Sequence, residues 1–151
     1  MKQAAVALAL LALACASGDV GRTVNANEGG VPFALAGAGF PEEIDAFPPW
    51  GTVSVPLRFV FTNVSDRAYT VEQLTVRQAT RGMKRLQFAP AFETVDRTVE
   101  SGEDLDVEVT IHIGPGEMVA GESINAPLGV DAFLTTSDGT RYRYSIGIPI
   151  L

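Results

Sequence analysis

Between Gly51 and Asp66 the chain reads GTVSVPLRFVFTNVSD, with an apolar residue at every second position. Val53, Val55, Leu57, Phe59 and Phe61 share one side, and Ser54, Pro56, Arg58 and Thr62 share the other. A period of two belongs to an extended strand with one face buried. Such a strand is unstable alone in water, so the rest of the chain must supply edge partners and a second apolar layer.

Several later segments meet that demand. Leu105, Val107, Val109, Ile111 and Ile113 alternate with Asp106, Glu108, Thr110 and His112, which predicts a second strand with one wet face. Asn63-Val64-Ser65-Asp66-Arg67 reads as a tight loop, after which Tyr69–Gln78 returns antiparallel. The alternation of that segment changes phase between Val71 and Leu74, so a bulge is expected near Glu72-Gln73. Leu86, Phe88 and Ala89 predict a short strand that Pro90 ends. Near the C-terminus Asp138-Gly139 signals a two-residue hairpin turn, with Thr135 opposite Tyr142 and Phe133 opposite Tyr144. That register places Phe133, Tyr142, Tyr144, Ile146 and Ile148 inside and Arg141 and Arg143 outside.

Other stretches carry less pattern. Val31–Ala36 predicts a first strand, and Pro32 confines it to an edge. Gly37-Ala38-Gly39 lacks the third glycine and the following helix of a dinucleotide-binding loop, and reads as a mobile turn. Glu42–Gly51 is irregular around Pro48-Pro49, with Phe47 and Trp50 expected to plug an open end of the core. Ala91–Gly102 is expected to be a short helical turn or an irregular crossing between sheets. Fifteen glycines and nine prolines lie between the apolar runs, so strands and turns dominate. At 151 residues and 46% hydrophobic content the chain holds one domain.

The first residues read as an export signal. Lys2 precedes the apolar run Ala4–Ala14, which is too short to span a bilayer, and small residues follow. Ala14-Cys15-Ala16 fits ordinary cleavage after Ala16. LALAC at the same place resembles a bacterial lipobox, although Ala12 stands where that family prefers Leu. The resemblance implies cleavage before Cys15 and acylation of that cysteine, hence a membrane anchor in a bacterial envelope; the alternative is a soluble periplasmic or secreted protein. Cys15 is the single cysteine of the chain, so no internal disulfide is available after export. The expected organisation is a signal segment over 1–16, a flexible tether over 17–30 and a β-sandwich over 31–151.

Strands at this spacing predict an all-β antiparallel sandwich of about seven strands. In pattern the mature chain resembles an immunoglobulin-like domain, without that family's cysteine, tryptophan, cysteine signature. VPLRFVFTNVSD, the apolar strand after Ser101-Gly102-Glu103 and the terminal YSIGIPI resemble the water-stress sandwich domains related to late-embryogenesis-abundant proteins, over Val53–Ile150.

The chemistry is sparse. His112 is the single histidine, on the polar phase of its strand, and no serine stands in a Gly-x-Ser-x-Gly setting. Asp104, Asp106 and Glu108 share a strand face, but no glycine-bearing loop wraps them as a calcium site requires. No cofactor is expected. A net charge of −7 argues against nonspecific nucleic-acid binding. Arg77, Arg81, Lys84 and Arg85 cluster around one turn, whereas every charged residue from Glu100 to Asp131 is acidic, so two electrical poles are expected. The four basic residues are the candidate partner-binding set. The reading that follows is a non-catalytic, lipid-anchored envelope module that engages a protein or polymer through loops or an edge strand. The alternative is an envelope enzyme or metal carrier built on His112 and nearby carboxylates.

Overall fold

The alternation at Val53–Asn63 becomes an eleven-residue inner strand of one sheet, and its five apolar side chains turn inward. A computed structural model describes residues 21–41, 52–79, 86–115 and 127–149. Among them are nine strands, two more than expected: β1 (Thr23–Asn25), β2 (Phe33–Gly39), β3 (Val53–Asn63), β4 (Tyr69–Gln78), β5 (Leu86–Phe88), β6 (Ala91–Val99), β7 (Asp104–Pro115), β8 (Leu128–Thr136) and β9 (Arg141–Ile148). They form two facing sheets, ordered β1-β9-β8-β4-β6 and β2-β3-β7-β5. All pairings are antiparallel except β1 with β9. The architecture is the antiparallel-rich β-sandwich that the pattern predicts.

The core lies between the sheets. Leu57, Phe59 and Phe61 of β3, Val109 and Ile111 of β7, and Leu74, Leu128 and Leu134 of the opposite sheet have no exposed surface. Each such side chain contributes about 1.5–3 kcal/mol through removal from water. Phe61 meets Tyr144 edge-on at 5.1 Å between ring centroids. The Tyr144 hydroxyl donates across the sheets to the Phe33 carbonyl at 2.6 Å. Its burial pushes the phenol pKa upward, so the group stays a donor.

Buried Asn63 closes the β3–β4 loop. Its amide donates to the carbonyls of Arg67 and Val99, and its Oδ1 accepts from the backbone and hydroxyl of Ser65. That is the turn role expected of it.

Five expectations require correction. The segment 17–30 is not wholly tether: Thr23–Asn25 lies parallel to Arg141–Arg143, and the Arg141 amide donates to the Arg22 carbonyl at 2.8 Å. A polar three-residue strand has no period of its own, and the vacant edge of β9 specifies it. Gly37-Ala38-Gly39 is not a mobile turn but the end of β2, paired with Arg58–Val60 beyond a bulge at Ala36. Pro32 stands just before that strand, which is an edge strand as expected.

Ala91–Val99 is neither helical nor irregular; it pairs with β4 as the other edge of the larger sheet. Only one side of it has a neighbour and most of its residues are exposed, so it lacks the alternation of an inner strand. Val95 and Asp96, the latter at φ 44°, oppose Glu72. This bulge, and the matching register shift between β4 and β8, stand where the phase change of β4 required one.

The terminal hairpin is shifted by one residue. Leu134 opposes Tyr142 and Ala132 opposes Tyr144, because the loop is Ser137-Asp138-Gly139, three residues long. Thr136 and Thr140 close it through a 2.9 Å backbone bond, and Gly139 supplies φ +84°. A one-residue slip reverses the facing of one strand relative to the other. Phe133 therefore points out, not in. Phe47 and Trp50 lie outside the described residues.

Candidate functional site

The outward positions of β4, β8 and β9 form a regular lattice. Arg77 opposes Asp131, which opposes Ser145; Thr75 opposes Phe133, which opposes Arg143. In the third row Gln73 opposes Thr135, which opposes Arg141. The rows continue onto the edge strands: Phe92 and Thr94 of β6 stand opposite Thr75 and Gln73, and Thr23 and Asn25 of β1 stand opposite Arg141 and Arg143. Neighbouring strands lie about 4.8 Å apart, so side chains in one row reach one another.

Asp131 is the anchor of this face. Its side chain is only 3% exposed, while those of Arg77 and Arg143 are 50% and 37% exposed. Oδ1 accepts from the Ser145 hydroxyl at 2.7 Å, and Oδ2 accepts from Arg143 Nη2 at 3.0 Å. Arg77 Nε stands 3.8 Å from Oδ2. Arg77 also stacks its guanidinium 4.9 Å from the Phe133 centroid, and Arg141 approaches the same ring at 5.9 Å. Arg141 Nη2 donates to Thr23 Oγ1 at 3.2 Å. The Arg143 Nε is buried without a hydrogen-bond partner. One carboxylate thus sits beneath two guanidiniums, those of Arg77 and Arg143, with the third, Arg141, beside the Phe133 ring, a local excess of positive charge in an acidic chain.

The opposite outer face, on β3 and β7, is self-paired. Arg58 forks onto Asp106, with Nε 2.8 Å from Oδ1, and this holds the Asp106 carboxyl below its usual range. Thr62 donates to Asp104 at 2.7 Å. Asp104, Asp106 and Glu108 share one face as expected, yet the first two have separate partners. Among the described residues no group of three or more metal-ligating side chains is placed to hold an ion. His112 Nδ1 lies 2.7 Å from Ser54 Oγ, a cross-strand pair on an exposed surface. Among the described residues no carboxylate hydrogen-bonds to this imidazole, and its partner is the Ser54 hydroxyl.

Two arginines of the basic tract meet acidic residues across paired strands, Arg58 with Asp106 and Arg77 with Asp131. Of the proposed binding set, Arg77 belongs to the lattice; Arg81, Lys84 and Arg85 lie outside the described residues, as does Cys15. Asp131, Phe133 and Phe92 were not in that set. The outward phase of Arg141 and Arg143 pointed to this face, but the hairpin register that brings Asp131 beneath them did not follow from the turn signal.

No family model and no curated protein matches the chain. Solved structures do. A β-glucuronidase of glycoside hydrolase family 2 is similar at 11% identity and a TM-score of 0.40, over 78% of this chain and 11% of that one. The chain thus spans about a tenth of that enzyme. A FixG-related protein from Vibrio parahaemolyticus is similar at 12% identity and a TM-score of 0.39, over 80% of this chain and 97% of that one. The human F-spondin reeler domain is similar at 12% identity and a TM-score of 0.30, over 87% of this chain and 97% of that one.

Proposed function

We propose that this chain is a non-catalytic recognition module of the bacterial cell envelope, anchored by an acyl group on Cys15. It engages a polymer or protein partner through the outer face of the five-stranded sheet. The observation that carries the reading is the lattice itself: three guanidiniums and an outward phenylalanine held in register on one face, two of the guanidiniums over a buried carboxylate. Arginines and aromatics dominate the energetics of recognition surfaces because they combine planar hydrogen bonding with large contact area.

The anchor is supported by the single cysteine at the end of the apolar run Ala4–Ala14. The pairing of β1 with β9 shortens the tether. Six chain steps separate Cys15 from Gly21, which reach at most about 20 Å. Gly21 packs against Gly139 at the β8–β9 hairpin, so this end of the sandwich faces the membrane. The strands of the lattice then stand away from the bilayer and present their face sideways to the envelope.

The test combines mass, partitioning and crosslinking. Intact mass and detergent partitioning of wild type and Cys15→Ser report the acyl group. A photo-crosslinker at Thr75, compared with one at Thr110 on the opposite face, reports the partner. The reading expects acyl mass on wild type alone and adducts at Thr75 alone. A wild type without acyl mass removes the anchor, and equal adducts at both positions remove the face.

A further inference from the structure

We infer that the ligand of this face is an acidic polysaccharide, with its carboxylates on Arg77 and Arg141 and its sugar rings against Phe133 and Phe92. The inference rests on the reading of this face as a binding surface and adds the chemistry of what binds.

Charge comes first. The nine central positions of the lattice hold three arginines and one aspartate, and that aspartate is buried beneath two of them. The chain as a whole carries −7, so a basic patch here is a local departure and not a reflection of composition. It selects an anion. The guanidinium fork matches a carboxylate in two parallel hydrogen bonds. Among the described residues Arg141 is engaged through Thr23 and the Phe133 ring, and Arg77 Nε stands 3.8 Å from Asp131, beyond hydrogen-bonding distance, so both forks can turn to a ligand.

The neutral residues narrow the choice. Between and beside the arginines are Gln73, Thr75, Thr94, Thr135 and Asn25, side chains that both donate and accept. Gln73 donates to Thr75 and Asn25 accepts from the Asn27 amide, and each keeps further donors or acceptors for a hydroxyl-rich ligand. Phe133 and Phe92 share one row with Thr75 between them, about 10 Å apart at the spacing of two strands. Phe92 is 64% exposed, one of two large apolar side chains so exposed among the described residues. Apolar platforms set among hydroxyls and amides suit a ligand with apolar ring faces and polar edges.

Shape excludes the other anions. A small anion needs an enclosing pocket, and this face is open. An extended acidic peptide gains its affinity from main-chain hydrogen bonds to a strand edge, whereas a sheet face offers side chains alone. A chain of sugars that crosses the strands along the row Asn25-Arg143-Phe133-Thr75-Phe92 lays its rings on the two phenylalanines, with Arg77 and Arg141 in the flanking rows on either side for its carboxylates, and its repeated charges add avidity.

Affinity electrophoresis of the full acylated chain in neutral detergent tests this with three polymers: polygalacturonate, dextran and polyglutamate. Polygalacturonate is expected to retard the wild type, dextran to leave it unmoved, and polyglutamate to bind at least roughly tenfold more weakly than polygalacturonate. Arg141→Gln, which leaves the Asp131 cluster intact, is expected to weaken polygalacturonate binding roughly tenfold and to reduce its salt dependence. Phe92→Ala is expected to weaken it about threefold or more at unchanged salt dependence. Equal binding of polyglutamate with no effect of Phe92→Ala overturns the sugar assignment and leaves the basic face standing. Failure of all three polymers also overturns it, while the Thr75 crosslink separately decides whether the face binds anything. Polygalacturonate binding untouched by Arg141→Gln and Arg77→Gln places the ligand elsewhere and overturns the inference.

Discussion

Asp131→Asn removes one negative charge from the lattice and almost nothing else. The amide has the shape of the carboxylate, so no cavity opens beside Ser145 and Arg143. What is lost is the counter-charge to Arg143, whose Nη2 lies 3.0 Å from Oδ2 and whose Nε already lacks a partner. Breaking a fully buried ion pair from one side costs about 3–5 kcal/mol, because a charge is left unsatisfied. Here the carboxylate is 3% exposed but Arg143 is 37% exposed, so its guanidinium turns partly to water. A loss of about 2–3 kcal/mol follows, near the range for hydrogen bonds to a charged group. For a domain of this size that lowers Tm by roughly 10 °C.

Urea denaturation followed by circular dichroism measures the loss, with an unchanged m-value as the control for an intact native state. A cycle with Arg143→Met isolates the pair. Arg143→Met alone leaves Asp131 with Ser145 and a distant Arg77; the double variant leaves no uncompensated charge. The double variant is expected to be more stable than the sum of the single losses by at least about 1 kcal/mol. Additivity to within about 0.5 kcal/mol, or an Asp131→Asn loss below that value, refutes the claim that this buried carboxylate organises the face.

The hairpin loop predicts a pH dependence. Asp138 is held below the usual carboxylate range, first by the Thr136 hydroxyl and then by the Thr140 amide. A folded pKa below the unfolded value of about 3.9 gives stability that is complete above that value and lost as pH falls through the folded pKa. Wild type is therefore expected to lose stability more steeply than Asp138→Asn below about pH 4; parallel urea midpoints across that range contradict it. At Gly21 a Cβ collides with the Gly139 carbonyl oxygen, so Gly21→Ala is expected to release β1 from β9. Hydrogen exchange at the Arg141 amide, which donates to Arg22, then accelerates by about tenfold or more for about 1.4 kcal/mol of lost pairing. Unchanged protection there refutes the strap.

Much of the sandwich was legible because alternation is a local property. Val53–Phe61 and Leu105–Ile113 declare an inner and an outer face before any partner is known, and both declarations match the burial observed. The phase change in β4 likewise announced its bulge. The site was legible only in part: Arg77, Arg141 and Arg143 could be read as outward. Asp131 could not be read as buried on that same outward face, since its cover comes from arginines on two other strands.

Side-chain periodicity by itself determined that this chain makes strands, where the longest of them run and which of their faces is apolar. Tertiary structure decided the register of the last hairpin, the strand roles of Thr23–Asn25 and Ala91–Val99, and the gathering of two guanidiniums over one acid. The physical reason is that a strand's facing follows from its own residues, whereas its register and its edge pairing depend on backbone hydrogen bonds to a segment elsewhere in the chain.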